Sequence, residues 1–380
     1  MLAAAALAAA AACAPASATT RAAETPAGAA IRGDGPYLYV TNQSGASVSV
    51  IDMGERAVVA RVDLQAFGFG PNARPHDVAV EPDGSFWYVT LIGENRVLKL
   101  DRENRLVGQV EMEVPGLAIV HPTEDLLLVG RSMTAVNPPS SVALIRRSDM
   151  TLLEEVEVLF PRPHGLAVHP AGVRAYAASL AENRIAAIDP AGGDVSLIEV
   201  PGPDPALHGA HADSAAGHAM GAHTLVEFAM APDGRTMVAG GELSGDLLVF
   251  DLADPAAPRL VETIPLGGSP WHPAFAPDGR TVWVPLHRAN AVAVVDASTW
   301  EVVARVEGRG LAQPHQVVPS PDGATVFVSN NNTGGEYVPE GDEPKAGTVV
   351  VIDARTRAIV EVLEVGPNAT GMDLVPEISE

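Results

Sequence analysis

Histidine is the residue type whose placement in this sequence best suits chemistry. Three of the 11 histidines directly follow a proline and stand six residues before another proline that opens a turn; they are His76, His164 and His315. His272 is one residue out of this register, and His223 is three residues out. Neutral imidazoles bind copper and zinc, and rigid strands fix their direction. These five histidines predict a metal site, although imidazoles that only hydrogen-bond between neighbouring elements would give the same pattern.

A second group of candidate ligands lies in the segment 201–223. It consists of His208, His211, His218 and His223, with Met220. Short His-rich tracts are typical of metal binding, and thioether sulfur favours copper. The spacings match no fixed zinc motif, and a Gly- and Ala-rich linker would have a similar composition. We therefore treat this loop as a weaker metal-binding candidate than the first group.

The elements that must position these side chains are short strands in a repeat. Turn prolines recur about every forty to sixty residues, at Pro82, Pro122, Pro170, Pro232, Pro277 and Pro321, with a degenerate copy at Pro376. The apolar runs around each proline alternate with a period of two residues, as in β-strands. A repeat of this length suits a four-stranded propeller blade.

The two ends of the repeat region complement each other. Residues 36–64 supply the second, third and fourth strands of a blade, and the sequence ATGMDLVPE near the C-terminus supplies only a first strand. Joining them leaves no exposed sheet edge. The sequence therefore predicts an all-β fold: a seven-bladed β-propeller of four-stranded blades over residues 36–378, whose ring is closed by N-terminal strands pairing with a C-terminal strand.

Three longer insertions fall in loops of the same topological type. Residues 131–141 and 330–347 lie between second and third strands, and residues 201–223 lie between blades. In a propeller these loops share one face with the beginnings of the first strands, where the histidine register lies. We expect this face to carry function, because loops carry binding residues more often than strands do. The acidic segment 330–347 could also dock a partner protein of the cell envelope.

The strand motif Tyr39-Val40-Thr41-Asn42, echoed by Tyr88-Val89-Thr90 and by Val328-Ser329-Asn330, resembles the YVTN-repeat, or YncE-like, β-propellers of bacterial envelopes. The resemblance covers all the repeats. It implies a seven-bladed propeller outside the cytoplasm. Function is not implied, since similar repeats occur in binding proteins, in propeller lactonases and in the propeller domains of two nitrogen-oxide reductases.

The N-terminal residues, the net charge and the cysteine content indicate where the protein is located and which partners it can have. Residues 1–18 resemble a signal peptide, with Cys13 in a context similar to a lipoprotein signal, and residues 19–35 read as a flexible linker. This predicts a periplasmic or envelope protein that meets the membrane only through a lipid anchor, if Cys13 is lipidated. The formal charge of −23 argues against nucleic acid as a partner. Because Cys13 is the only cysteine, covalent haem c is not expected.

The resulting hypothesis is an exported binding propeller with a His-lined pocket that holds copper or zinc, or another small ligand, at the channel mouth. Two alternatives remain open: a lactonase-like hydrolase or cofactor-dependent oxidoreductase, and a structural propeller that binds proteins. We expect binding rather than catalysis, because the sequence contains no nucleophile elbow, phosphate-binding glycine loop or EF-hand.

Overall fold

The computed structural model describes residues 35–135, 139–204 and 221–375. In these ranges the chain forms seven antiparallel sheets of four strands each, arranged as the blades of a propeller. We number the blades from 1 to 7 in chain order of their innermost strands. The predicted fold is thus confirmed. Among the described residues, no helix has the length and apolar character needed to cross a bilayer.

From blade 1 to blade 7, the innermost strands are β4 (Pro75–Val80), β8 (Pro115–Val120), β12 (Pro163–Val168), β16 (Leu225–Met230), β20 (Ala274–Phe275), β24 (Pro314–Pro319) and β28 (Ala369–Val375). The second strands are β5 (Phe86–Leu91), β9 (Leu126–Arg131), β13 (Ala175–Ser179), β17 (Thr236–Gly241), β21 (Thr281–Leu286), β25 (Thr325–Asn330) and β1 (Tyr37–Asn42).

In the same order, the third strands are β6 (Arg96–Asp101), β10 (Ser141–Arg146), β14 (Arg184–Ile188), β18 (Asp246–Asp251), β22 (Ala291–Asp296), β26 (Ala346–Asp353) and β2 (Ser47–Asp52). The outer strands are β7 (Leu106–Glu111), β11 (Thr151–Glu157), β15 (Val195–Glu199), β19 (Arg259–Pro265), β23 (Val302–Glu307), β27 (Ile359–Pro367) and β3 (Ala57–Asp63). Short 3₁₀ helices occur at Leu64–Phe67 and His287–Ala289.

Burial follows the position of a strand in its blade. The middle strands lie between neighbouring sheets and are buried on both faces, so that β26 reads AGTVVVID with seven consecutive buried residues. The outer strand β7, LVGQVE, alternates between half-buried and exposed residues. This difference is expected, because a strand covered on both faces needs no polar side. The apolar cores therefore lie between blades.

Blade 7 closes the ring as the sequence predicts. Strand β28 pairs antiparallel with β1, and Tyr37 lies opposite Val375. Side chains of the YVTN motif support this closure. Tyr39 stacks on Trp87 of blade 1 with ring centroids 4.5 Å apart, and the Thr41 hydroxyl donates to the main-chain oxygen of His76. These residues join the last blade to the first, which is a structural role.

Candidate metal-binding site

The inner strands place the predicted histidine register at equivalent points around the ring. His76, His164 and His315 are each the second residue of their strand, in β4, β12 and β24. Each of these strands begins at the face where β9, β15 and β25 end, and the three insertions leave their strands at those ends. The spacing to the turn proline thus identified structurally equivalent positions.

His272 joins this group because the inner strand of blade 5 is short. Strand β20 contains only Ala274–Phe275, and the residues before it form isolated bridges instead of a regular ladder. One of these bridges is parallel and joins His272 to Gln316. The main-chain N–H of His272 also donates to the main-chain oxygen of His315. A residue one position out of register therefore reaches the same place as the aligned histidines.

Four imidazoles from blades 1, 3, 5 and 6 form a ring of neighbours. The ring centroids lie 5.6 Å apart for His76 and His164, 6.2 Å for His164 and His272, 4.4 Å for His272 and His315, and 6.4 Å for His315 and His76. We call these four residues the histidine ring.

The histidine ring is buried, and burial keeps its members neutral. The four residues are between 1% and 5% exposed. Burial lowers the pKa of His76 to about 3, with the neighbouring His164 adding to the effect, and lowers the pKa of His164 to about 4. The pKa values of His272 and His315 are also held well below the ordinary range, again mainly by burial. Each ring therefore has a nitrogen lone pair at neutral pH.

The four members differ in their hydrogen bonds. His76 Nδ1 lies 3.2 Å from Gln43 Nε2, and His164 Nδ1 lies 2.8 Å from the main-chain oxygen of Val226. By contrast, His272 Nε2 and His315 Nδ1 are buried without a hydrogen-bond partner in the ranges that the structure covers. A buried polar atom without a partner is unfavourable. The histidine ring thus contains two atoms suited to receive a ligand.

The spacing of one pair resembles that in a metal site. His76 Nε2 and His164 Nε2 lie 3.4 Å apart, against about 3.3 Å for two nitrogens on one tetrahedral zinc ion. Across residues 35–135, 139–204 and 221–375, however, no three His, Cys, Asp or Glu side chains are already grouped as metal ligands. An ion would have to draw the rings closer by side-chain rotation.

Buried carboxylates occupy the next position along two inner strands. Glu227 accepts hydrogen bonds from the N–H groups of Leu166 and Phe228, and its other oxygen lies 3.8 Å from His272 Nδ1. Asp77 accepts from the Ala118 N–H of the next blade. Burial raises the pKa of Asp77 to about 7 and that of Glu227 well above its ordinary value. Sequence reasoning left both out of the metal set, although each follows the histidine register by one residue.

Aromatic and amide groups also lie at this end of the propeller. Trp271 stacks on His287 with centroids 4.2 Å apart, and its Nε1 is buried without a partner among the described residues. Gln43 follows the YVTN motif and reaches His76 from the neighbouring blade. No local signal marks Gln43, because its contact depends on ring closure.

His223 lies apart from the histidine ring. Its Nδ1 is 2.9 Å from the Ser244 hydroxyl, and its Nε2 donates to the main-chain oxygen of Pro201 at 2.8 Å. Both ring nitrogens are thus engaged, and His223 joins Pro201, which follows β15, to Ser244 of blade 4. The weaker candidates His208, His211, His218 and Met220 lie outside the described residues.

The three remaining blades have other residues in the histidine register. A Cβ atom at Gly116 would lie 2.5 Å from the main-chain carbon of Arg131, so no larger residue fits there without movement. Thr370 donates to the main-chain oxygen of His76, and the main-chain oxygen of Val226 accepts from His164. Val226 and Thr370 thus contact members of the histidine ring, whereas Gly116 allows close packing against Arg131.

The acidic insertion 330–347 is folded against its own blade. Asn332 donates to the main-chain oxygens of Tyr337 and Ala346, and Glu364 accepts from the Tyr337 hydroxyl and from the Glu340 N–H. Glu336 and Asp342 are exposed. The segment thus presents carboxylates from an ordered loop.

Fold and site together define a seven-bladed propeller with a buried ring of four histidines. No family model matches the chain, and no curated protein matches it in sequence. Among solved structures, it is similar to Kuenenia stuttgartiensis hydrazine synthase, with 18% identity, a TM-score of 0.61, and coverage of 78% of this chain and 88% of that one. A functionally unknown protein from Desulfotomaculum acetoxidans DSM 771 is also similar, with 13% identity, a TM-score of 0.66, and coverage of 89% and 98%. At these identities the likeness shows the fold alone.

Proposed function

We propose that this propeller is a metal-binding protein whose histidine ring holds one copper or zinc ion. The observation that carries the proposal is the convergence of four buried, neutral imidazoles from four blades, two of which have a ring nitrogen without a partner in the described structure. A structural role alone would favour histidines with both nitrogens engaged, as in His223.

The donor set supports the choice of metal. Imidazole nitrogen suits copper and zinc, whereas calcium and magnesium prefer oxygen ligands. Neutral ligands leave the positive charge of the ion uncompensated. Burial raises the pKa of the Glu227 carboxyl, but a bound cation would favour loss of its proton, and the resulting carboxylate would offset part of that charge. The Glu227 Oε2 atom lies 3.8 Å from His272 Nδ1, beyond hydrogen-bonding distance, so a small side-chain movement would let it orient His272 as outer-shell carboxylates orient metal-binding histidines.

The test is metal uptake by the protein purified without an affinity tag. We expect about one equivalent of Cu(II) or Zn(II) per chain at micromolar concentration. Changing His272 and His315 to Ala together should weaken uptake by at least roughly 100-fold, since even outer-shell partners of metal ligands contribute about 10- to 100-fold.

The matched control replaces two histidines at the opposite face. His121 and His169 each place Nε2 3.0 Å from the main-chain oxygen of a glycine in the next blade, and their Nδ1 atoms accept from main-chain N–H groups. Their replacement by Ala should leave metal uptake unchanged. Wild-type protein that takes up neither metal at micromolar concentration would overturn the proposal.

We also propose, from the sequence, that the protein is an exported member of the YVTN-repeat family. The motif at residues 39–42 and the signal-like residues 1–18 support this, and an envelope location would give the site access to metal ions outside the cytoplasm. Fractionation of cells, with mass spectrometry of the mature N-terminus, distinguishes lipidation at Cys13 from cleavage near Ala18. A full-length chain in the cytosolic fraction would contradict export.

A further inference from the structure

A line of hydrogen bonds runs through half of the histidine ring. Gln43 Nε2 lies 3.2 Å from His76 Nδ1, His76 Nε2 lies 3.4 Å from His164 Nε2, and His164 Nδ1 lies 2.8 Å from the main-chain oxygen of Val226. The line joins blade 7 to blade 4 by way of blades 1 and 3. At one end of the line the main-chain oxygen can only accept a hydrogen bond, and at the other end the amide nitrogen can only donate one.

The two ends determine where each imidazole proton lies. A main-chain oxygen only accepts, so His164 must carry its proton on Nδ1, which leaves Nε2 as a lone pair. An amide nitrogen only donates, so His76 must accept at Nδ1 and carry its proton on Nε2. The His76 N–H then faces the His164 lone pair, and all three contacts are matched.

The Gln43 amide bridges Asn368 and His76. Asn368 Nδ2 donates to Gln43 Oε1 at 2.9 Å, which turns the Gln43 nitrogen toward His76. Asn368 lies between β27 and β28, and Gln43 lies directly after β1. Ring closure in blade 7 thus sets the proton position on a histidine of blade 1.

From this geometry we infer that Gln43 is the positioning residue that controls the metal affinity of the site. Gln43 keeps the His76 proton on Nε2, and this N–H donates to the lone pair of His164 Nε2, which is then not available to a metal ion. His272 Nε2 and His315 Nδ1 are the first nitrogens available to an ion, and His76 becomes a ligand only when its proton moves to Nδ1. This inference rests on the proposed function for its effect on metal binding, whereas the proton positions stand without it.

The replacement Gln43→Glu tests the inference with little change in shape. A carboxylate still accepts from Asn368 Nδ2 but cannot donate to His76, so it favours the proton on His76 Nδ1. The Nε2 atoms of His76 and His164 then both carry a lone pair, 3.4 Å apart, and rotation of the two side chains would turn both lone pairs toward one ion. We expect metal affinity at pH 8 to rise by at least roughly tenfold, in line with other outer-shell effects.

The proton positions can be measured in the metal-free protein. Long-range ¹H–¹⁵N correlation spectra separate protonated from unprotonated ring nitrogens, and His76→Asn and His164→Asn variants assign the signals. We expect His76 protonated at Nε2 and His164 at Nδ1 in the wild type, and His76 protonated at Nδ1 in Gln43→Glu. A wild-type His76 protonated at Nδ1, or an unchanged His76 in the variant, would overturn the inference.

The affinity measurement needs a control for added charge. Gln65 is exposed, and Gln65→Glu makes the same chemical change away from the histidine ring. Zn(II) titration by calorimetry should show tighter binding for Gln43→Glu but not for Gln65→Glu. An equal gain in Zn(II) affinity in both variants would show that the added negative charge alone causes the effect, and would contradict the role of Gln43. Expected proton positions in protein that binds no metal would instead overturn the proposed function and uphold the proton assignment.

Discussion

At the scale of single residues, the four members of the histidine ring have different roles. His76 and His164 bond to each other and to neighbouring blades, whereas His272 and His315 each keep a buried nitrogen without a partner in the described ranges. The surroundings of each ring therefore decide whether a histidine joins blades or is free to bind. A shared register only places the residues at the same end of the molecule.

The lowered histidine pKa values predict how stability depends on pH. Burial lowers the pKa of His164 from its ordinary value of 6.5 to about 4, so folding favours its neutral form. That contribution is complete above pH 6.5 and is lost as the pH falls toward 4, by at most about 1.4 kcal/mol per pH unit. Replacing His164 with Gln should therefore make the acid side of the stability curve shallower.

Urea unfolding of wild type and His164→Gln, both free of metal, measures this between pH 7.5 and 4. The difference in unfolding free energy between wild type and variant should shrink as the pH falls. Parallel curves would show that His164 does not titrate as its burial implies.

At the scale of elements, the site depends on how closely neighbouring blades approach. Strand β17 of blade 4 packs directly against the chain segment that leads into β20. A Cβ atom on Gly240 would lie 2.2 Å from the main-chain oxygen of Trp271, next to His272. The contact explains why glycine is required in the strand at this point.

We predict that Gly240→Ala displaces the segment carrying His272. Overpacking of this kind costs about 1 to 3 kcal/mol of unfolding free energy, and metal uptake should weaken as well. Gly54→Ala is the control, because its Cβ would meet nothing closer than 3.4 Å. Thermal unfolding and metal titration of both variants measure the effect. Equal unfolding temperatures and metal affinities of the two variants would show that the segment carrying His272 adjusts to the added methyl group, and would contradict the prediction.

At the scale of the whole molecule, closure of the ring holds the site together. Strand β28 pairs with β1, and the Gln316 amide both donates to the Met372 oxygen and accepts from the Met372 N–H. Asp373 accepts from the Val80 N–H of blade 1. The last strand thus bonds to both neighbouring blades as well as to its own.

A chain ending at Pro367 should therefore lose cooperative folding. It lacks β28 and exposes the edge of β1, which is a site for aggregation. Size-exclusion chromatography and circular dichroism should show aggregated or partly folded protein. A chain ending at Val375 keeps β28 and serves as the control, for which we expect wild-type behaviour. A sharp unfolding transition at the wild-type temperature in the shorter chain would contradict the role of closure.

The sequence by itself determined the number of blades, the closure of the ring and the face that carries the histidines. These follow from local rules, namely the two-residue period of strands and the chemistry of Pro-Asp-Gly turns. It also placed His76, His164 and His315 at equivalent positions.

Only the tertiary structure decided that His272 joins the histidine ring and that His223 does not. His272 reaches the ring although it is one residue out of register, because strand β20 is short and the residues before it are irregular. The spacing of histidines and prolines in the sequence does not show that β20 is short. Likewise, the proton positions in the ring depend on Gln43 and Asn368, which are 325 residues apart in sequence and meet because the ring closes.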